Sequence, residues 1–351
     1  GAGGGYGGGR LAPAADGDTF PLNQPVLVPG NTRMAAKLGT EGTLPDAFAA
    51  IYAQIGAVVI VVRVTEGQDT DETISAIIGD PVAKTGSYAF LTAEQITGFK
   101  PRILIAPGFT SQRPATGVLL VNVTDGGADY TEVPTVEITG DGTGAEAIAT
   151  IANGAVASVI VTNPGIGYSN AAVAFSGGGG AGATATATLG TTANPVVAAL
   201  AGIARQCRAV VFADGPGTTN QDAITYRGDW GSDRVMVFDP HPLVWDTETS
   251  TNVTRPASAF AAGVQAYMDN ARGFWWSLSN QVVNGVVGAS RPIAFAISDS
   301  NSEHNLLNEQ EITTLIRFEG FRFFGLRSTG SDPNWAFLSV RRTADMVMEE
   351  I

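Results

Sequence analysis

Apolar positions fall at helical spacing from Leu44 to Ile55 (Leu44, Phe48, Ile51, Tyr52, Ile55), which predicts a helix capped by Thr43, with Pro45 at its start and Gly56 at its end. Val58–Val64 follows as a β-branched strand, apolar on both faces, of the kind found at the centre of a sheet covered from both sides. Ile103–Ala106 reads as a second buried strand, ended by Pro107-Gly108. Helical spacing resumes at Val196, Val197, Leu200 and Ile203 behind an Asn194 cap and Pro195, and a strand over Ala209–Ala213 comes next. Arg234–Phe238 is a further strand, Ala257–Asn270 a helix, and Phe321, Phe323 and Phe324 around Arg322 a strand with one buried face.

Setting residues 113–194 aside leaves strand, loop, helix, strand, an ordinary βαβ unit, so the central stretch is an insertion into a βα loop. The insertion repeats itself. Val123-Thr124…Gly127…Tyr130 recurs 38 residues on as Val161-Thr162…Gly165…Tyr168, and Gly144–Ile151 recurs at the same offset as Gly182–Leu189. Between the copies, Asn153-Gly154 flanked by alternating residues is a hairpin signal. Two such units predict a small all-β domain inside a mixed α/β (α+β) protein whose buried sheet is flanked by helices.

Composition adds limits. The chain has 351 residues, 44% hydrophobic, enough for more than one core. Its 44 glycines crowd into the first nine residues and into Gly126–Gly190. The first segment, residues 1–12, reads as a flexible leader, because glycine cannot bury enough surface to offset its ordering entropy. A net charge of −13 and the lack of a basic stripe exclude nucleic-acid binding. No apolar run reaches the roughly 18 residues of a membrane-spanning helix, and no signal-peptide pattern opens the chain. Cys207, the one cysteine, sits in an apolar context and reads as an inert core residue of a protein assembled in a reducing cytoplasm.

Candidate chemistry is sparse. His241 and His304 have no metal-ligand spacing to each other or to Cys207 and read as turn or helix-cap residues. Gly140-Asp141-Gly142-Thr143-Gly144 lacks the helix and lysine of a phosphate cradle and reads as a turn. The acidic residues Glu66, Asp69, Asp71 and Glu72 read as a solvated loop, with Asp125 and Asp129 the better calcium candidates. Gly273-Phe274-Trp275-Trp276 is either a stacking platform or a core and interface anchor. The anchor reading places Trp275 inside and leaves Trp276 more exposed. Arg341-Arg342 pairs with acidic neighbours across a subunit contact or is solvated. No catalytic, metal or cofactor site emerges.

One set of residues resembles a known family. Phe20-Pro21-Leu22-Asn23-Gln24-Pro25-Val26, Gly42-Thr43-Leu44, Lys100–Gly108, Pro256-Ala257-Ser258, Gly273-Phe274-Trp275, Leu306-Leu307-Asn308, Gly320-Phe321-Arg322, Gly325, Arg327 and Trp335-Ala336-Phe337 stand in the order found in the sheath proteins of contractile phage tails, in the branch of P2-like phages and R-type pyocins. This resemblance implies a structural protein with no enzymatic activity. Its subunits stack as six-fold rings around a tail tube above a baseplate and contract to drive the tube through a bacterial envelope. It implies residues 13–112 with 195–240 as a discontinuous α/β core, 113–194 as the inserted β-repeat domain, and 241–351 as a part leading towards a C-terminal domain. Relative to the family pattern, the N-terminal arm is replaced by the glycine leader and the tube-facing C-terminal domain is cut short. Trp275, Trp276, Phe274, Asn308, Arg322, Arg327 and Trp335 become structural or interface residues. The alternative is a tail-surface binding module whose inserted repeats contact a glycan; a hydrolase acting on surface sugar has only scattered carboxylates behind it.

Overall fold

The computed structural model describes residues 16–40, 42–113, 116–191, 193–247 and 249–350. The leader read over residues 1–12 lies outside the described residues. An antiparallel pair comes first, β1 (Pro25–Pro29) with β2 (Val58–Val62), enclosing α1 (Thr32–Ala35) and α2 (Thr43–Tyr52). Thr43 is the first residue of α2 and not its cap: the cap is Gly42 at φ 90°, a conformation that glycine adopts without strain. The role expected of β2 is also corrected. Among the described residues it pairs only with β1, and Val58 is 53% exposed. Val59, Val61 and Val64 instead line a cavity of about 110 Å³ opposite Phe48, Phe90 and Phe109. An apolar strand facing helices and loops across a cavity has the same sequence pattern as one buried in a sheet.

After α3 (Thr70–Ile78) and α4 (Ala93–Thr97), β3 (Ile103–Leu104) enters the main sheet. The chain then makes the insertion, β4 (Gly117–Ala128), β5 (Thr135–Gly140), β6 (Thr143–Ala152), β7 (Ala155–Ile166), β8 (Ala171–Ser176) and β9 (Ala181–Gly190), and returns as α5 (Pro195–Cys207). The remaining elements are β10 (Val210–Asp214), α6 (Asn220–Gly228), β11 (Val235–Phe238), β12 (Pro242–Asp246), β13 (Thr251–Thr254), α7 (Ala257–Arg272), β14 (Gly288–Ala289), α8 (Glu303–Glu309), β15 (Ile312–Arg317), β16 (Phe321–Phe324) and α9 (Leu338–Glu350). Strand order in the main sheet is β16-β15-β11-β10-β3, parallel except for β16. Because β15 and β16 belong to the same sheet as β10 and β11, a boundary at residue 240 would cut one core in two. Phe212, Phe238 and Phe323 run through that core with ring centroids 4.9 and 5.4 Å apart, against Phe260 and Val264 of α7. Ala223 of α6 and Leu307 of α8 share a second cluster with Ile312 and Ile316 of β15.

Arg113–Pro195 is a compact unit distinct from the rest of the chain. Its six strands are ordered β4-β9-β8-β5-β6-β7. β7 and β9 begin and end 38 residues after β4 and β6, and exchanging the two halves maps the strand order onto itself. The unit is thus two copies of one three-stranded motif related by pseudo-two-fold symmetry. The long pairings, β4–β9, β5–β8 and β6–β7, join one copy to the other. Tyr168 of the second copy rests on the Gly140-Asp141-Gly142 turn of the first, where a Cβ on Gly142 would clash with the ring. Tyr130 rests in the same way on Gly178 and Gly180. These glycines make room for an aromatic ring, which accounts for the glycine-rich turns without a phosphate.

Candidate interaction surface

α7 stops at Gly273 (φ 100°), where a Cβ would stand 2.6 Å from the Trp275 ring. Only glycine allows the indole to lie over the helix end. The turn is fixed from beneath by Gln265, which is fully buried, donates to Trp276 O at 2.9 Å and accepts from Leu278 N at 3.2 Å. Leu278, also fully buried, fills the core position. The tryptophans point the other way. Trp275 is 55% exposed and Trp276 45%, which overturns the expectation of Trp275 as a buried anchor. The physical reason is that Leu278 and the Gln265 amide already occupy the space beneath the turn. Phe274 is half-buried and stands edge-on to Trp275 at 5.0 Å, and the Arg272 guanidinium lies 4.9 Å above the Trp276 ring.

The other residues singled out in the sequence do not converge on this turn as one site. Arg322 donates to Phe318 O (2.9 Å) and Asn280 O (2.8 Å), tying the hairpin after β15 to the loop that follows Leu278. Asn308 is half-buried, with Oδ1 lacking a hydrogen-bond partner and crowding the backbone of Gly325, where a Cβ would stand 2.9 Å from it. Arg327 lies over Phe337 at 5.4 Å, and Trp335 lies under Arg341 at 4.3 Å. These last two contacts lead into α9.

α9 inverts the usual amphipathic pattern. Apart from Leu338 at its start, which joins the main core, its inward arc is ionic. Asp345 receives a two-bonded Arg234 (2.7 and 2.8 Å) and also Arg341 (2.7 Å), Arg342 grips Asp269 (2.7 and 2.5 Å), and Glu349 takes Arg102 and Lys100. Burial works against the Asp345 charge, but the hydrogen bonds from Arg234 and Arg341 prevail and hold its carboxyl below the usual range. Its outward arc, with Phe337 just before it, carries Val340, Val347 and Met348, all exposed. Arg341 and Arg342 are therefore spent inside the subunit, neither solvated nor reserved for a neighbour.

A polar cluster lies at the C-terminal ends of β10 and β11, where open α/β sheets often bind ligands. Asp214 accepts from Ser258 N and Oγ (2.7 and 2.8 Å) and from Thr110 Oγ1 (2.9 Å), and so caps α7. His241 Nε2 meets Gly215 O at 2.8 Å, with Nδ1 4.0 Å from Asp214. Asp239 pairs with Arg291; burial pushes its carboxyl up while Arg291 opposes the shift. The Ser258 hydroxyl donates to a carboxylate and not to the imidazole, and Asp214, Asp239, His241 and Ser258 are each at most 1% exposed. The arrangement fastens strand ends to a helix and cannot activate a nucleophile. His304, in the first turn of α8, bonds Ser302 Oγ at 3.0 Å and packs on Phe295 and Phe324. Cys207 is buried, which raises its thiol. Among the described residues no group of three or more His, Cys, Asp or Glu is placed to hold a metal, and no helix is long and apolar enough to cross a membrane. In the insertion, Asp125 accepts from Gly127 N (2.9 Å) and Asp141 from Ser169 N and Asn170 N (3.0 and 2.9 Å), so both carboxylates serve turns.

Comparison with known proteins gives consistent matches. The profile of the phage tail sheath protein central domain matches residues 161–329, and that of the tail sheath protein Gp18 domain III N-terminal region matches residues 9–64. A putative prophage major tail sheath protein of Pseudomonas aeruginosa (strain UCBPP-PA14) is 30% identical over 97% of this chain and 68% of its own length. The tail sheath protein of Escherichia phage P2 is 30% identical over 95% of this chain and 66% of its own. Among solved structures, the contracted helical sheath of the anti-feeding prophage matches 44% of this chain and 40% of that chain, at 28% identity and a TM-score of 0.35.

Proposed function

This chain belongs to the phage tail sheath protein family, and from that membership we propose that it is a structural subunit of a contractile tail, in a phage or a tailocin. The family is structural, not enzymatic. In this reading copies of the chain form six-fold rings, stack around a tail tube above a baseplate, and contract to push the tube through a bacterial envelope. Assembly takes place in the cytoplasm of the bacterial host and the product is part of the virion. The observation that carries the reading is the P. aeruginosa relative, aligned over 97% of the chain. The physical character of the subunit supports it: ionic groups are spent on internal clamps while aromatic and apolar side chains face outward, as expected of a rigid body that changes its packing against neighbours and not its interior.

The binding-module alternative is less well supported. A sugar platform on the insertion would need exposed rings, whereas Tyr130 and Tyr168 are buried and Phe175 packs against the same small core. The test is deletion of the gene from the phage or prophage that carries it. Particles with a bare tube and no outer cylinder are expected. Tails that keep a contractile outer cylinder would overturn the reading.

A further inference from the structure

The last two turns of α7 and the segment after it expose Tyr267, Arg272, Trp275 and Trp276. Aromatic rings with an arginine are the composition of interface hot spots. Arg272 is the distinctive member. Its charge is held over an indole, and no carboxylate among the described residues lies within ion-pair distance of it. By contrast Arg234, Arg341 and Arg342 are all consumed internally. An exposed cation stacked on an indole, with no carboxylate partner among the described residues and further exposed rings beside it, suits a surface that offers carboxylates.

The chain itself offers one. Acidic side chains outnumber lysine and arginine by 33 to 20, and their densest run is Glu66, Asp69, Asp71 and Glu72, in the loop before α3 and in its first turn. Asp69 accepts from Glu72 N (2.8 Å) and Glu72 from Gln68 N (2.6 Å), a reciprocal cap that fixes two carboxylates in place. No lysine or arginine among the described residues pairs with any of the four. Burial, and then the charge of Asp69, push the Asp71 carboxyl up, as expected of crowded acids without a counter-ion.

We propose that Arg272, Trp275 and Trp276 of one copy dock on the acidic first turn of α3 of a second copy. The two surfaces differ, so the contact is head-to-tail, the kind that propagates into rings or helical stacks. The proposal rests on the sheath reading above and specifies one of its subunit contacts.

Cross-linking tests it, because Cys207 is the only cysteine and is buried. Exposed positions beside each surface, Gln68→Cys and Asn270→Cys, are combined in the full chain and treated with a short bismaleimide. A ladder of dimers, trimers and higher species from the double variant, with monomer from each single variant, is expected. Arg272→Glu should reduce the ladder at least about tenfold, the loss of a desolvated charge pair, and Glu66→Arg with Glu72→Arg should restore it. Unchanged thermal midpoints establish that each variant folds. A double variant that links no better than the singles, or singles that form dimers, would overturn the contact. So would glycan binding that is lost in Trp275→Ala, since the platform would then belong to sugar. Sedimentation separates the two levels: oligomers that persist in Arg272→Glu refute this contact and leave the sheath reading intact, whereas a ladder from a protein absent from the tail cylinder refutes the reading and leaves the contact.

Discussion

Tyr130 and Tyr168 donate equivalent backbone hydrogen bonds across the pseudo-two-fold of the insertion, Tyr130 N to Gly154 O at 2.9 Å and Tyr168 N to Thr116 O at 3.2 Å. Each acceptor stands just before the first strand of a copy, and each tyrosine ring fills the glycine turn of the opposite copy. The symmetry closes a small core within Arg113–Pro195. We therefore expect this segment to fold when expressed alone, and the rest of the chain to stay soluble with a similar thermal transition when residues 114–193 are replaced by a Gly-Ser linker. Tyr130→Ala and Tyr168→Ala should each destabilise the isolated segment by about 3–5 kcal/mol, as for other large buried rings. An aggregated core, or a segment that melts without a cooperative transition, would contradict this.

Trp275→Ala and Trp276→Ala should each change stability by less than about 1 kcal/mol in denaturant unfolding, because both rings lie on the surface. Leu278→Ala, directly beneath, should cost about 2–5 kcal/mol. A large loss at Trp275 alone would return it to the core.

Asp345 sits between Arg234 and Arg341 with its side chain 4% exposed. Asp345→Ala leaves two arginines facing an emptied site and should cost about 3–5 kcal/mol. Val347→Ser and Met348→Ser, on the outer face of the same helix, should shift stability by about 0.5 kcal/mol or less. Equal effects on the two faces would refute the inverted packing of α9.

Acid should loosen the same clamp. Arg102 above all holds Glu349 below the ordinary carboxylate range, and Asp345 is also depressed, by hydrogen bonds that outweigh its burial. Carboxyls depressed in the folded state contribute stability that is complete above their unfolded values, near about 4, and lost as pH falls through the folded ones. Asp239, raised by burial, has the opposite sign. The melting temperature should therefore fall between about pH 6 and about pH 3, and fall less steeply in Glu349→Gln. A parallel decline in that variant would remove Glu349 from the account.

The βαβ unit was legible because Pro195 at the start of α5, the apolar face of that helix and the strands at Ile103 and Val210 each follow local rules that the tertiary structure also obeys. The 38-residue repeat was legible for the same reason, although the exchange of strands between its copies was not, since pairing partners leave no local trace. Reading failed where burial and polarity part company. Val58–Val62 is apolar because it lines cavities, Trp275 is aromatic yet outward, and Arg342, read as solvated or as part of a subunit contact, is buried against Asp269. A pattern-based reading assigns each of these to the wrong side.

The most direct test of the proposed role is to locate the chain on the particle. An antibody raised against the purified protein would be gold-labelled and imaged by electron microscopy on tails produced by the organism that encodes the chain. Label repeating along the whole outer cylinder, in extended and contracted tails alike, is the predicted result. Label confined to the tail tip or fibres, or absent from the tails, would contradict it.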